Sequence, residues 1–122
     1  MIEANNLRIG NSVYVTQTNG NPNGWSLIKI SLYNLDSAFY HPEWFKGIPI
    51  TKTRLKKLGF ERCGVNLLRH VDGNLNMIYF DIDSNGLIPS GSTKYARLKY
   101  VHEIQNLYFA LMKIELKVKG KL

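Results

Sequence analysis

The chain has 122 residues, 44% of them hydrophobic and 20% charged, with sixteen Lys and Arg against nine Asp and Glu for a net charge of +7. That length suits a single domain over residues 1–122 that buries roughly two thirds of its unfolded surface. The composition excludes a disordered acidic chain, a collagen-like repeat and a membrane bundle.

The first residues, MIEANNLRIG, show no basic stretch followed by an apolar one, and no apolar run approaches the ~18 residues of a membrane span. One cysteine, Cys63, cannot form an internal disulfide. The expected setting is therefore cytoplasmic and reducing.

Val13 and Val15, then Trp25, Leu27, Ile28, Ile30, Leu32 and Leu35, are β-formers on either side of the turn-rich stretch Asn19 to Gly24, and they predict a hairpin with a long loop. An aromatic cluster follows, Phe39, Tyr40, Trp44 and Phe45, in which Pro42 discourages a continuous helix. These aromatics are expected mainly inside, because a domain this small needs them for its core.

Thr51 and Gly59 bracket a short helix over about residues 52–58, the threonine capping free N–H groups and the glycine taking the left-handed position after the last turn. Leu55 and Leu58 would face inward with Phe60 folding back onto Leu55, so Lys52, Lys56 and Lys57 would point outward. An antiparallel meander is predicted next, with strands Val65–Val71, Met77–Ile82, Leu87–Ile88 and Tyr95–Lys99. Its turns fall at Asp72-Gly73-Asn74 and Asp83-Ser84-Asn85-Gly86, with a loop over Pro89-Ser90-Gly91-Ser92.

From Val101 the period changes to helical. Val101, Ile104, Leu107, Tyr108 and Leu111 share one face, and His102, Glu103, Gln105 and Asn106 fall off it, predicting a core-packing helix of about eleven residues. Residues 113–122 alternate apolar and basic and read as an edge strand or a frayed basic tail. The expected fold class is α+β: an antiparallel sheet or meander, or one curled into a small barrel at the N-terminal side, with one short basic helix and one longer C-terminal helix.

Leu7-Arg8-Ile9-Gly10-Asn11-Ser12-Val13 at the front and Tyr100-Val101-His102-Glu103-Ile104-Gln105-Asn106-Leu107-Tyr108-Phe109-Ala110-Leu111 at the back resemble the ends of a family of small uncharacterised proteins. That family occurs in phages, prophages and mobile elements of Bacteroidota. Ile48-Pro49-Ile50-Thr51 with Leu55, Leu58, Gly59 and Phe60 resembles its central helix. The resemblance implies a shared α+β fold, a cytoplasmic setting and a mobile-element origin, but no activity. The family usually carries acids directly after the capping threonine, where this chain has Lys52-Thr53-Arg54, and a Thr-Gly turn where it has Met112-Lys113. Bases in a first helical turn oppose the helix dipole by a few tenths of a kcal/mol each, so a local cost is accepted there for some other reason.

Motifs for catalysis are incomplete. Asp81, Asp83, Asn85, Gly86 and Ile88 match the opening of a calcium loop, but Ser92 stands where a bidentate Glu is required, and a hairpin turn is the better reading. His102-Glu103 lacks a second histidine four residues on, His41 and His70 are isolated, and no phosphate loop or nucleophile elbow occurs. No metal, cofactor or small-molecule substrate is expected, and no enzymatic activity.

What remains is charge. Residues 1–51 are net neutral, 52–62 net +4, 63–93 net −2 and 94–122 net +5. The expected partner-binding residues are Lys52, Arg54, Lys56, Lys57, Arg62, Lys94, Arg97 and Lys99, contacting phosphates of RNA or of a nucleoprotein. With the mobile-element resemblance, the expected function is a non-catalytic accessory protein that interferes with a host defence complex, such as a CRISPR effector with its guide RNA. The alternative is an interaction module docking on a host or phage protein through an apolar patch without nucleic-acid contact.

Overall fold

The computed structural model describes residues 2–16, 24–64, 67–71, 77–83, 86–89, 97–120 and 122. The fold is α+β, and packing divides the chain into two units: Met1–Pro49 with Tyr100–Glu115, and Ile50–Lys99 with Leu116–Leu122. Each is built differently.

The first unit holds a three-stranded antiparallel sheet. Strand β1 (Ser12–Thr16) lies between β2 (Trp25–Lys29) and β3 (Phe45–Lys46), in the order β2-β1-β3. The hairpin read from the sequence is formed, with Val13 opposite Ile28 and Thr16 opposite Trp25; its loop from Asn19 to Asn23 lies outside the described residues. The sheet is open rather than curled into a barrel, because three strands, one of them two residues long, are too few to close around a core. The alternation along β1 turns Val13 inward, where it joins Ile2, Leu7, Ile30, Ala38 and Phe45 in one buried cluster.

Leu32 and Leu35 are not in a strand. They belong to helix α1 (Leu32–Tyr40), which starts because the Ser31 hydroxyl accepts the Asn34 N–H while the Asn34 side chain accepts the Ser31 N–H at 3.0 Å. This reciprocal cap overrides the β-propensity of the flanking residues. The helix stops at Tyr40, just before Pro42, which opens a single 3-10 turn to Trp44 as expected of a residue that cannot continue a helix.

Helix α3 (Val101–Met112) is one residue longer than the predicted eleven. Glu103 accepts the N–H of Tyr100, closing the first turn. The buried residues are Val101, His102, Ile104, Gln105 and Tyr108, so the inward face is rotated from the purely apolar stripe: Leu111 is exposed, while His102 and Gln105 are buried. The rotation follows from what α3 packs on.

Across from α3 stands the turn before β1, rich in polar atoms. Gly10 has φ +95°, a conformation open to glycine, and its N–H donates to Ile30 O at 2.8 Å. Asn11, wholly buried, accepts the Arg8 N–H at 2.7 Å and donates to Asn106 Oδ1 at 2.8 Å, and Asn106 donates to Asn6 O. Gln105 accepts the Ser12 N–H at 2.8 Å and donates to the Ser12 hydroxyl. The Arg8 guanidinium pairs with Glu115, donates to Gln105 O at 3.3 Å and lies 4.3 Å from the Phe109 ring centre. The stretches 7–13 and 100–111 thus bind one another through their polar side chains.

After α3, Lys113 takes a left-handed φ of +62°, the conformation common just past a helix end, and its N–H donates to Phe109 O. Residues 115–119 form neither an edge strand nor a frayed tail, because Leu116 is buried and the Lys119 N–H donates to Lys57 O at 2.7 Å.

The second unit begins with helix α2 (Lys52–Lys57), capped by Thr51, whose hydroxyl accepts the Arg54 N–H. Gly59 follows at φ +91°, and Leu55, Leu58 and Phe60 are buried. The chain then enters a meander of β4 (Phe60–Gly64), β5 (Leu67–Val71), β6 (Met77–Asp83) and β7 (Gly86–Pro89), neighbours in that order. Strand β4 was not anticipated; it forms because Phe60 seats the chain opposite His70 as soon as the helix ends. The hairpin read at Asp83–Gly86 is present, with Asp83 opposite Gly86 and Asp81 opposite Ile88. Ser84, Asn85, the turn at residues 72–74 and the loop at 90–92 lie outside the described residues. The predicted strand Tyr95–Lys99 is reduced to a single bridge residue, Leu98, among its described residues 97–99.

Two outcomes follow. Ile104→Ala, at a position with no solvent exposure, should destabilise the protein by about 2–5 kcal/mol, and Leu107→Ala, half-buried, by less; urea denaturation of both variants measures the order. Burial lowers the pKa of His102 below the ordinary 6.5, opposed by the neighbouring Glu103 carboxylate, and its Nδ1 has no partner among the described residues. The folded chain therefore binds this proton less readily than the unfolded chain. Stability is full above pH 6.5, falls as pH drops through that value and levels off below the depressed folded pKa. Thermal melts from pH 8 to pH 5 should show this decline, and His102→Gln should flatten it.

Candidate nucleic-acid interface

Charge divides between the two units more sharply than between sequence segments. The first unit holds four Lys and Arg against five Asp and Glu, net −1, and the second holds twelve against four, net +8. One unit carries the entire positive excess.

Within it, α2 presents the bases because its Leu55 and the Leu58 that ends it are buried. Lys52 and Lys56 are exposed, whereas Arg54 and Lys57 are half-buried. Its first turn contains no acid, so Lys52 and Arg54 add to the positive end of the helix dipole, while Lys56 and Lys57 stand in the last turn. Two backbone hydrogen bonds bring further bases to the helix. The Ile50 N–H donates to Lys99 O at 3.0 Å, which sets exposed Lys99 beside the approach to the cap, and the bond from Lys119 to Lys57 O sets exposed Lys119 at the last turn. Arg62, exposed, follows on β4, and Arg97 is half-buried. Lys94 lies outside the described residues.

Of the eight bases predicted as partner-binding residues, the structure places Lys52, Arg54, Lys56, Lys57, Arg62, Arg97 and Lys99 in one unit, with Lys99 held against the approach to α2. Lys119 was missed. Its signal was the excess of lysines in the tail, but the folding-back of the tail onto α2 depends on burial of Leu116, which no local pattern announces.

The aromatic cluster divides. Phe45 is buried and Trp44 half-buried, its ring stacked on His41 at 3.9 Å. Phe39 and Tyr40 are exposed, contrary to the expectation of core positions, because α1 turns Leu35 and Ala38 inward and its other face to solvent. Lys46 lies over the rings of Trp25 and Tyr14, 4.3 Å and 5.5 Å from their centres.

Among the described residues no three His, Cys, Asp or Glu side chains gather into a group able to hold a metal ion, and no described helix is long and apolar enough to cross a membrane. No family model, curated protein or solved structure matches the chain.

The division between folding and charge on α2 can be measured. Thr51→Ala should cost about 1 kcal/mol through loss of the cap. Lys52→Glu should leave stability unchanged or raise it by a few tenths of a kcal/mol through the dipole; chemical denaturation of the two variants distinguishes these effects.

Proposed function

We propose that the chain is a non-catalytic accessory protein of a phage or mobile element that binds RNA or an RNA-containing host effector complex and blocks it as a counter-defence inhibitor. The observation that carries this reading is the confinement of the charge excess to the unit containing α2, where Lys52, Lys56, Lys99 and Lys119 are exposed around one capped helix. A surface charge serving solubility alone has no reason to concentrate in one unit and to place Lys52 and Arg54 in a first helical turn that favours acids. A protein of net +7 cannot imitate nucleic acid as an acidic decoy. It acts instead by engaging phosphates, and the mobile-element resemblance supplies the setting in which a host effector with its guide RNA is a target.

The test is the salt dependence of binding to a fluorescein-labelled 20-nucleotide single-stranded RNA, measured by anisotropy between 50 and 200 mM salt. Binding by the intact chain should weaken steeply over that range. The triple variant Lys52→Gln/Lys56→Gln/Lys119→Gln should bind at least tenfold more weakly, with a log–log salt slope shallower by about 2 for three lost single-strand phosphate contacts. An unchanged affinity and slope would remove RNA from the reading.

A further inference from the structure

The first unit contains a surface of the opposite character. On α1, Leu32, Tyr33, Phe39 and Tyr40 are 74%, 78%, 72% and 67% exposed. At about 100° per residue these four side chains fall within an arc of about 120°, and Asp36, also exposed, lies at its middle. Four large apolar or aromatic side chains on nine residues of helix form a contiguous patch of the kind that marks an interaction surface rather than scattered exposure. Beside it, a cleft of about 410 Å³ is lined by Ile2, Ala4, Ala38, Phe39 and Pro42, with Glu3 among its walls. It can seat one or two apolar side chains.

The chemistry around this patch selects the occupant. Between Ile30 and Phe45 the chain has no Lys or Arg but does have Asp36 and Glu43, and Glu3 borders the cleft. Among the described residues, neither Asp36 nor Glu3 takes part in an ion pair. A second copy of the chain is a poor fit, since a two-fold pairing through the centre of the arc brings Asp36 against Asp36. RNA is a poor fit as well, because its phosphates would meet carboxylates. Tyrosines with an acid at their centre match a protein surface that offers an apolar anchor beside a Lys or Arg, whose cation can lie against the rings and pair with the carboxylate.

We infer that the exposed face of α1 and its adjoining cleft form a docking site for an amphipathic protein segment bearing Lys or Arg beside its apolar anchor. This site is independent of RNA binding, being carried by other residues in the other unit. Proteins that hold RNA present such basic segments, so one target complex can meet both surfaces.

A random 16-residue peptide display library, panned on the full chain and counter-panned on Tyr33→Ser/Phe39→Ser, tests the inference. Both replaced side chains are exposed, and an unchanged melting temperature verifies that the variant is folded. The enriched peptides should combine Lys or Arg with Leu, Ile, Phe or Trp. A synthetic peptide of their consensus should lose at least tenfold in affinity on Tyr33→Ser/Phe39→Ser and about tenfold on Asp36→Lys, while binding the Lys52→Gln/Lys56→Gln/Lys119→Gln variant as well as the wild type. Three results overturn the inference: no peptide distinguishes the wild type from the serine variant; the enriched peptides are acidic or uncharged; or the chain forms a dimer in sedimentation that Tyr33→Ser/Phe39→Ser abolishes, which assigns the face to self-association. Loss of RNA binding with retained peptide binding would overturn the proposed function alone.

Discussion

Asn11 has no solvent-exposed surface, and its burial is the constraint on which the first unit depends. A buried amide left without partners costs about 1–3 kcal/mol, so the turn before β1 can pack under α3 only if α3 supplies polar groups in register. Asn106 answers Asn11, and Gln105 answers both the N–H and the hydroxyl of Ser12. Arg8 then reaches across to Glu115 and lies against Phe109. Hydrogen bonds of this sort are directional, so they set the rotation of α3, which apolar contact alone would leave free. The exposed Leu111 and the buried Gln105 are two consequences of the same choice.

Residues Ile50–Lys99 of the second unit occupy the stretch between Pro49 and Tyr100, two residues that face each other in an antiparallel bridge of the first unit. Tyr100 approaches so closely that a Cβ on Gly47 would come within 2.6 Å of its ring, and the Val101 N–H donates to Ile48 O. The ends of the inserted stretch are therefore held by backbone bonds and by a glycine that leaves room for an aromatic ring. The inserted stretch and the C-terminal tail hold twelve of the sixteen Lys and Arg, and the first unit is close to neutral.

Opposed surface chemistries then follow from how each helix meets its core. Leu55 and Leu58 take the inward face of α2 and leave lysines outside, whereas Leu35 and Ala38 take the inward face of α1 and leave aromatics and a carboxylate outside.

Several features were legible in the residues themselves because their causes are local. The cap at Thr51 and the left-handed Gly59 bound α2 by side-chain and backbone geometry within a few positions, alternating apolar residues marked β1 and β2, and Pro42 ended a helix wherever that helix began. Net charge and its excess around positions 52–62 needed only counting. Other features were decided by contacts between distant segments. Leu32 and Leu35 look like strand residues until Ser31 and Asn34 close a cap around them. Gln105 looks solvent-facing until Ser12, some 90 residues away in sequence, demands a polar neighbour. The last lysines look like a loose tail until Leu116 finds a buried site and turns Lys119 toward α2. Local propensity is worth a few tenths of a kcal/mol per residue, less than one satisfied buried amide, and where the two disagreed the tertiary contact prevailed.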